Sequence, residues 1–293
     1  MAPLGDALAK LLGDAIDVAM LVAIRMGVQA VVLVPVVLWL GLTLRKAFDR
    51  FWLIALRAVL HMVGIGLMFL SLRYLPLADA VAIAFVMPFI MLLLGKFVLN
   101  EEVGSRRLIA CTVGFAGTCM VMQPSFAEVG WPALLPVGVA VDFALFMLVT
   151  RALAKDVDAV SLQLVSGWIA VAMLVPLLLV LAPMKVPGFE LALPRGSVWW
   201  MILAMGLLGT VAHLLMTSAL RFAPSATLAP MQYLEIPMAA LLGWLIFQDF
   251  PNGLALLGIV VTIAAGLYII TREQRLSRSS PPQPPSDARA EQG

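Results

Sequence analysis

Leu220–Asp249 reads LRFAPSATLAPMQYLEIPMAALLGWLIFQD, and Leu72–Glu101 reads LRYLPLADAVAIAFVMPFIMLLLGKFVLNE. Adding 148 to the upstream numbers superimposes the two without a gap: Arg73 falls on Arg221, Pro76 on Pro224, Ala78 on Ala226, Phe85 on Tyr233, Gly95 on Gly243 and Glu101 on Asp249. Each stretch is a basic residue, a short proline turn, about twenty apolar residues and an acid, which is one membrane-crossing helix with its entry and exit. The same pattern recurring after half the chain means two homologous halves rather than a short-period solenoid.

Composition sets the solvent. The chain has 293 residues, 62% hydrophobic and 12% charged, with mean hydropathy +1.03. Water-soluble domains are about 45–50% apolar and about 25% charged, so this much apolar surface has to face lipid. The net charge of +2 is too small to point to nucleic acid, and no basic patch is interleaved with aromatics. Cys111 and Cys119 lie two helical turns apart in one apolar segment and read as packing residues. Met1–Leu12 holds Asp6 and Lys10 and has no basic leader, so it does not read as a cleavable signal peptide.

Nine apolar stretches are long enough to span: Val18–Leu42, Trp52–Leu72, Leu77–Leu99, Arg107–Met122, Trp131–Thr150, Ala159–Leu181, Val198–Leu220, Thr227–Phe247 and Leu254–Ile270. Met1–Leu12 reads as part of a tenth. Leu33-Val34-Pro35 matches Leu174-Val175-Pro176 at an offset of 141, which carries Lys10 onto Arg151, Asp17 onto Asp158 and Met1 onto Asp142. The first half then begins inside its own first helix, and the expectation is an N-terminally truncated first helix; a true nine-helix protein is the competing reading. The expected organisation is a first repeat over 1–123, a second over 131–271 and a disordered cytoplasmic tail over 272–293.

Lysine and arginine in short loops set orientation. Arg45, Lys46, Arg50 and Arg57 around one connection, with Arg106, Arg107, Arg151, Lys155, Arg221, Arg272, Arg275 and Arg278, fall on one side if the helices alternate. The other side holds Arg73, Lys185 and Arg195. The basic side reads as cytoplasmic, with the C-terminus inside. Five helices per half then force the halves to insert oppositely, as an inverted-topology repeat of the kind transporters use. Trp52, Trp131, Trp199 and Trp200 start their spans, as interfacial aromatics do.

Ionisable groups inside a bilayer are costly, so each is a candidate functional residue. Arg25 lies a third of the way into its helix and could hold a carboxylate or phosphate bidentately, or serve a structural pair. Glu235 lies mid-helix between Pro230 and Pro237, where freed carbonyls and a kink suit a substrate or proton site. Tyr233 lines the cavity or packs beside it. Asp142 is mid-helix with no polar neighbour in sequence and needs a partner across an interface or a water-filled cavity. His61 and His213 are not at matched repeat positions, since His61 plus 148 is Gly209; each reads as a packing histidine or a group titrating near neutral pH. Asp79 reads as a helix-start acid or a pathway residue. Asp6 and Lys10, four apart, read as an internal pair. Lys96 reads as snorkelling. Small residues such as Gly114, Gly117, Ala264, Ala265 and Gly266 let helices approach within one bundle or, in a homodimer, between two copies.

With Ile24-Arg25, Arg73 to Ala78, Pro88, Asn100-Glu101-Glu102, Thr150-Arg151, Ala219-Leu220-Arg221 to Ala226, Tyr233 to Pro237 and Gly243 in place, the chain resembles the drug/metabolite transporter superfamily, EamA type, over roughly Ala7–Thr271. The resemblance implies an all-α polytopic membrane protein, a ten-helix bundle of two inverted five-helix repeats. It further implies a secondary transporter of a small polar organic metabolite in the inner membrane, driven by protons or another gradient, with a small-molecule substrate and no cofactor. The pathway residues read from the polar groups inside the spans are Arg25, His61, Asp79, Asp142, His213, Tyr233 and Glu235. Gln248-Asp249 stands where the family often has Gly-Glu. The sequence lacks G-x-x-x-x-G-K-[ST], H-E-x-x-H and G-x-S-x-G. A membrane-embedded enzyme or a non-transporting receptor or scaffold is the alternative.

Overall fold

The computed structural model describes residues 1–13, 15–97, 105–191, 196, 198–222 and 235–279. Its helices are α1 (Ala2–Leu12), α2 (Val18–Trp39), α3 (Arg45–Asp49), α4 (Phe51–Leu72), α5 (Leu77–Ala84), α6 (Met87–Phe97), α7 (Ser105–Val129), α8 (Leu135–Ala154, entered by a 3-10 turn, Trp131–Leu134), α9 (Ala159–Leu181), α10 (Val198–Phe222), α11 (Glu235–Leu242) and α12 (Gly253–Ser279). No strand occurs among the described residues. Five of these helices are long and apolar enough to cross a membrane, α2, α4, α8 with its 3-10 entry, α9 and α10, and shorter apolar helices accompany them. The protein is an all-α polytopic membrane protein.

Local chemistry sets several boundaries. Asp158 accepts from Ser161 N at 2.7 Å and caps α9, and Asn252 accepts from Ala255 N at 2.9 Å and starts α12. Asp17, the repeat equivalent of Asp158, makes no such cap: its carboxylate takes Arg73 at 3.2 Å and Glu190 N at 2.9 Å. The span expected as continuous over Leu77–Leu99 is broken at Phe85–Val86. Pro88 has no N–H, and its ring would meet the carbonyl of Ala84, the last residue of α5, so the helix stops and restarts. The span expected over Thr227–Phe247 is described from Glu235 onward and ends in a π turn, Gly243–Phe247, stopped by Gln248 in the left-handed region at φ 58°. Residues 272–279, read as the start of a tail, are the end of α12; 280–293 lie outside the described residues.

Packing follows the repeat. Aligning the halves pairs α1 with α8, α2 with α9, α4 with α10, α5 with α11 and α7 with α12. α2 packs on α9, α5 on α11 and α7 on α12, each against its own equivalent, while α1 packs on α10 and α4 on α8, an exchange that a two-fold relation requires. The equivalents run antiparallel. Along α7 and α12, Gly114 meets Thr262, whose Oγ1 donates to Gly114 O at 3.4 Å, and Ala265, while Gly117 and Val121 face Gly258. Along α2 and α9, Leu33 and Val37 cluster with Leu164, and Leu21 with Leu178. Helices related by sequence yet opposed in direction are the geometry of an inverted repeat.

Ion pairs mark the two ends. Lys10–Asp249 at 3.3 Å and Arg73–Asp17 at 3.2 Å lie at one end, and Arg50–Asp156 at 2.9 Å at the other. Two sequence expectations are corrected here. Lys10 does not pair with Asp6: at the C-terminal end of α1 it donates to Leu75 O at 3.0 Å and to Asp249, leaving Asp6 one turn deeper. Arg57, grouped in sequence with the charges around a connection, does not face the water at that end: it lies on α4 and is 0% exposed.

A polar cavity at the seam of the two halves

α1, α2, α4, α5, α6, α8, α10 and α11 line a cavity of about 440 Å³. Its polar lining is Asp6, Arg25, His61, Asp142, His213 and Glu235, one group from each of six helices. Apolar walls come from residues such as Phe85, Phe143 and Met216. Five residues predicted for the pathway therefore converge on it: Arg25, His61, Asp142, His213 and Glu235. Asp79 does not line it. Its Oδ2 accepts from Ser125 Oγ on α7 at 2.8 Å, which ties α5 to α7. Tyr233 lies outside the described residues.

The two histidines meet across the seam, Nε2 to Nε2 at 3.2 Å. At that distance one nitrogen donates and the other accepts, so the rings hold different tautomers when both are neutral. Neither Nδ1 has a hydrogen-bond partner among the described residues. Phe146 lies 4.9 Å from His61 and 5.8 Å from His213, centroid to centroid, and fixes both rings.

Two glycines make room for charge. The Asp142 carboxylate lies against Gly64 on α4, where a Cβ would collide with it, and its Oδ2 has no hydrogen-bond partner among the described residues. The Arg25 guanidinium lies against Gly209 on α10, where a Cβ would come within 2.6 Å of Nε. Phe69 lies 5.7 Å from the guanidinium carbon, and Asp6 lines the same cavity as Arg25. The α4 glycine thus receives an acid from α8, and the α10 glycine a base from α2.

Sequence reading missed two residues. Spacing alone pairs Asp6 with Lys10. Arg57 stands close to a connection in sequence; the signal that sets it inside the bundle is its spacing of four from His61 and seven from Gly64, which puts all three on one helical face.

A helical membrane protein whose antiparallel halves close around one polar cavity belongs to a restricted class of architectures. The EamA-like transporter family profile matches residues 4–123 and again 130–272, and the chain belongs to that family. It is 32% identical over 232 residues to a protein named riboflavin transporter from Rhizobium johnstonii, covering 78% of this chain and 72% of that one. A protein of the same name from Vibrio cholerae is 26% identical over 87% of this chain and 83% of its own. An S-adenosylmethionine uptake transporter from Rickettsia prowazekii is 24% identical, covering 93% and 89%. A solved crystal structure superposes with TM-score 0.65 over 93% of this chain and 96% of its own at 17% identity, a likeness of fold.

Proposed function

We propose that the protein is a secondary carrier that moves a small polar organic metabolite bearing a flat ring system across the inner membrane by alternating access. The observation that carries this reading is the convergence of Asp6, Arg25, His61, Asp142, His213 and Glu235 on one cavity at the seam of two antiparallel halves. A cavity of about 440 Å³ is in the range of small-molecule sites, roughly 300–1,000 Å³. Phe85 and Phe143, with the two imidazoles, offer faces to a heteroaromatic ring, and Arg25 with the acids offers partners to its polar edge. Riboflavin and S-adenosylmethionine, named for the relatives, both carry such a ring. Rocking of the halves about this site would expose it to each side in turn.

The end of the bundle carrying Arg45, Lys46, Arg50, Arg151, Lys155 and Arg221 is the basic one, which supports a cytoplasmic assignment for it and for the C-terminus. The carboxylates and the histidine pair are the groups through which a proton gradient would couple. The repeats are assigned to 1–123 and 131–271. The test is uptake of riboflavin and of S-adenosylmethionine into sealed vesicles, with and without an imposed pH gradient. Accumulation above that of empty vesicles is expected. Chemical turnover of either compound by detergent-solubilised protein, with no accumulation, would replace the carrier reading with an enzyme.

A further inference from the structure

Arg57 lies one turn from His61 on α4, toward the end marked by Arg50–Asp156, and is not part of the cavity wall. Its Nε donates to Thr150 Oγ1 at 2.9 Å, Nη1 to Ser166 Oγ at 2.8 Å, and Nη2 to Gln163 Oε1 at 2.6 Å and Thr217 Oγ1 at 3.5 Å. Phe146 stands 4.6 Å from the guanidinium carbon and separates it from the histidine pair. Arg57 belongs to the first half, and all four hydrogen-bonding partners belong to α8, α9 and α10 of the second.

This ring does more than tie helices together, because it holds two deficits. Arg57 is 0% exposed, every partner is neutral, and among the described residues no carboxylate forms an ion pair with it. A buried cation without a counter-charge is costly in a low-dielectric interior. Gln163 is also 0% exposed, and its Nε2 has no acceptor among the described residues. Turning the amide over would aim that N–H at the guanidinium, so rotation does not satisfy it. One oxyanion answers both deficits: it compensates the charge, takes a bidentate fork from the guanidinium and accepts from Gln163 Nε2. The hydroxyls of Thr150, Ser166 and Thr217, now accepting, rotate to donate to the same anion.

We propose that Arg57, Gln163 and these hydroxyls form a second binding station for the carboxylate or phosphate of an anionic substrate, entered when the halves part at the Arg50 end. The proposal rests on the carrier reading above. In the structure the neutral ring is closed on Arg57; in the opposite state the oxyanion takes the places of the second-half oxygens.

The experiment compares two probes with the same ring system, riboflavin and riboflavin 5′-phosphate, in proteoliposomes of the full chain. Arg57→Gln is expected to lower uptake of the phosphorylated probe roughly tenfold or more relative to its effect on the neutral one. Equal losses on both probes, or no loss, overturn the station and leave a helix tie. Gln163→Glu guards against misfolding: its carboxylate would sit beside Arg57, raise the melting temperature and block the phosphorylated probe, and unimpaired phosphate uptake in that variant also overturns the proposal. If the wild-type protein carries neither probe, the carrier reading for this substrate class is what fails. The station is then judged by melting the purified protein in inorganic phosphate against chloride at equal ionic strength. A rise in the wild type that Arg57→Gln abolishes supports it; no rise, or the same rise in both, overturns it.

Discussion

The Nε2 atoms of His61 and His213 lie 3.2 Å apart, although the residues are 152 positions apart and stand one turn out of register in the repeat. The pair forms because α4 and α10 are equivalents on either side of the seam, so side chains near their midpoints face one another. Two groups that share a hydrogen act as a unit, and removing either dismantles it. His61→Gln and His213→Gln are each expected to lower uptake roughly tenfold, with the double variant no worse than either single one. Uptake in a double-mutant cycle checks this; additive losses would mean two independent residues.

Glu235 stands at the described start of α11 and faces the cavity. Glu235→Gln keeps the shape and removes the charge. It is expected to lower transport and flatten its response to an imposed pH gradient, with membrane expression unchanged. Wild-type uptake and pH response in that variant would take Glu235 out of the mechanism.

Arg25 is held by space as much as by charge. Arg25→Lys loses the fork, and Gly209→Ala pushes a methyl into the guanidinium. Both are expected to weaken an anionic substrate more than a neutral one, by roughly tenfold in the ratio of uptake rates. Equal losses for the two substrates would assign Arg25 a structural role.

Gln248 ends the π turn at φ 58°, a conformation that costs a residue with a Cβ about 1–2 kcal/mol and glycine much less. It is also where the sequence departs from the family's usual glycine. Gln248→Gly is expected to raise the melting temperature of the purified protein, by up to about 1 kcal/mol of stability after the greater freedom of the unfolded chain is counted. A lower melting temperature would mean that the Gln248 side chain holds the turn.

Gly117 lies against Gly258 and Thr262, where a Cβ would come within 2.6 Å of Thr262 Oγ1 and 2.8 Å of Gly258 O. Gly117→Leu is expected to part α7 from α12 and to destabilise the fold by about 1–3 kcal/mol. An unchanged melting temperature would show that this close approach carries no stability.

The sequence by itself determined the helical membrane class, the duplication and the antiparallel sense of the halves. Those follow from apolar length, from the offsets that join Arg73 to Arg221 and Asp17 to Asp158, and from the side on which Lys and Arg collect. They are properties of one helix at a time, because lipid requires each span to satisfy its own backbone. It also singled out Arg25, Asp142 and Glu235, since a charge amid twenty apolar residues is visible without knowing its neighbours. Only the tertiary structure decided who meets whom. Sequence spacing put Lys10 with Asp6, yet the segment after the π turn brings Asp249 within 3.3 Å of it. Sequence position put Arg57 among the charges around a connection, yet three helices of the other half close four neutral groups around it. Repeat arithmetic separated His61 from His213, yet the seam joins them. Each of these contacts links residues from different helices, and a single-helix pattern carries no information about the face a distant helix presents.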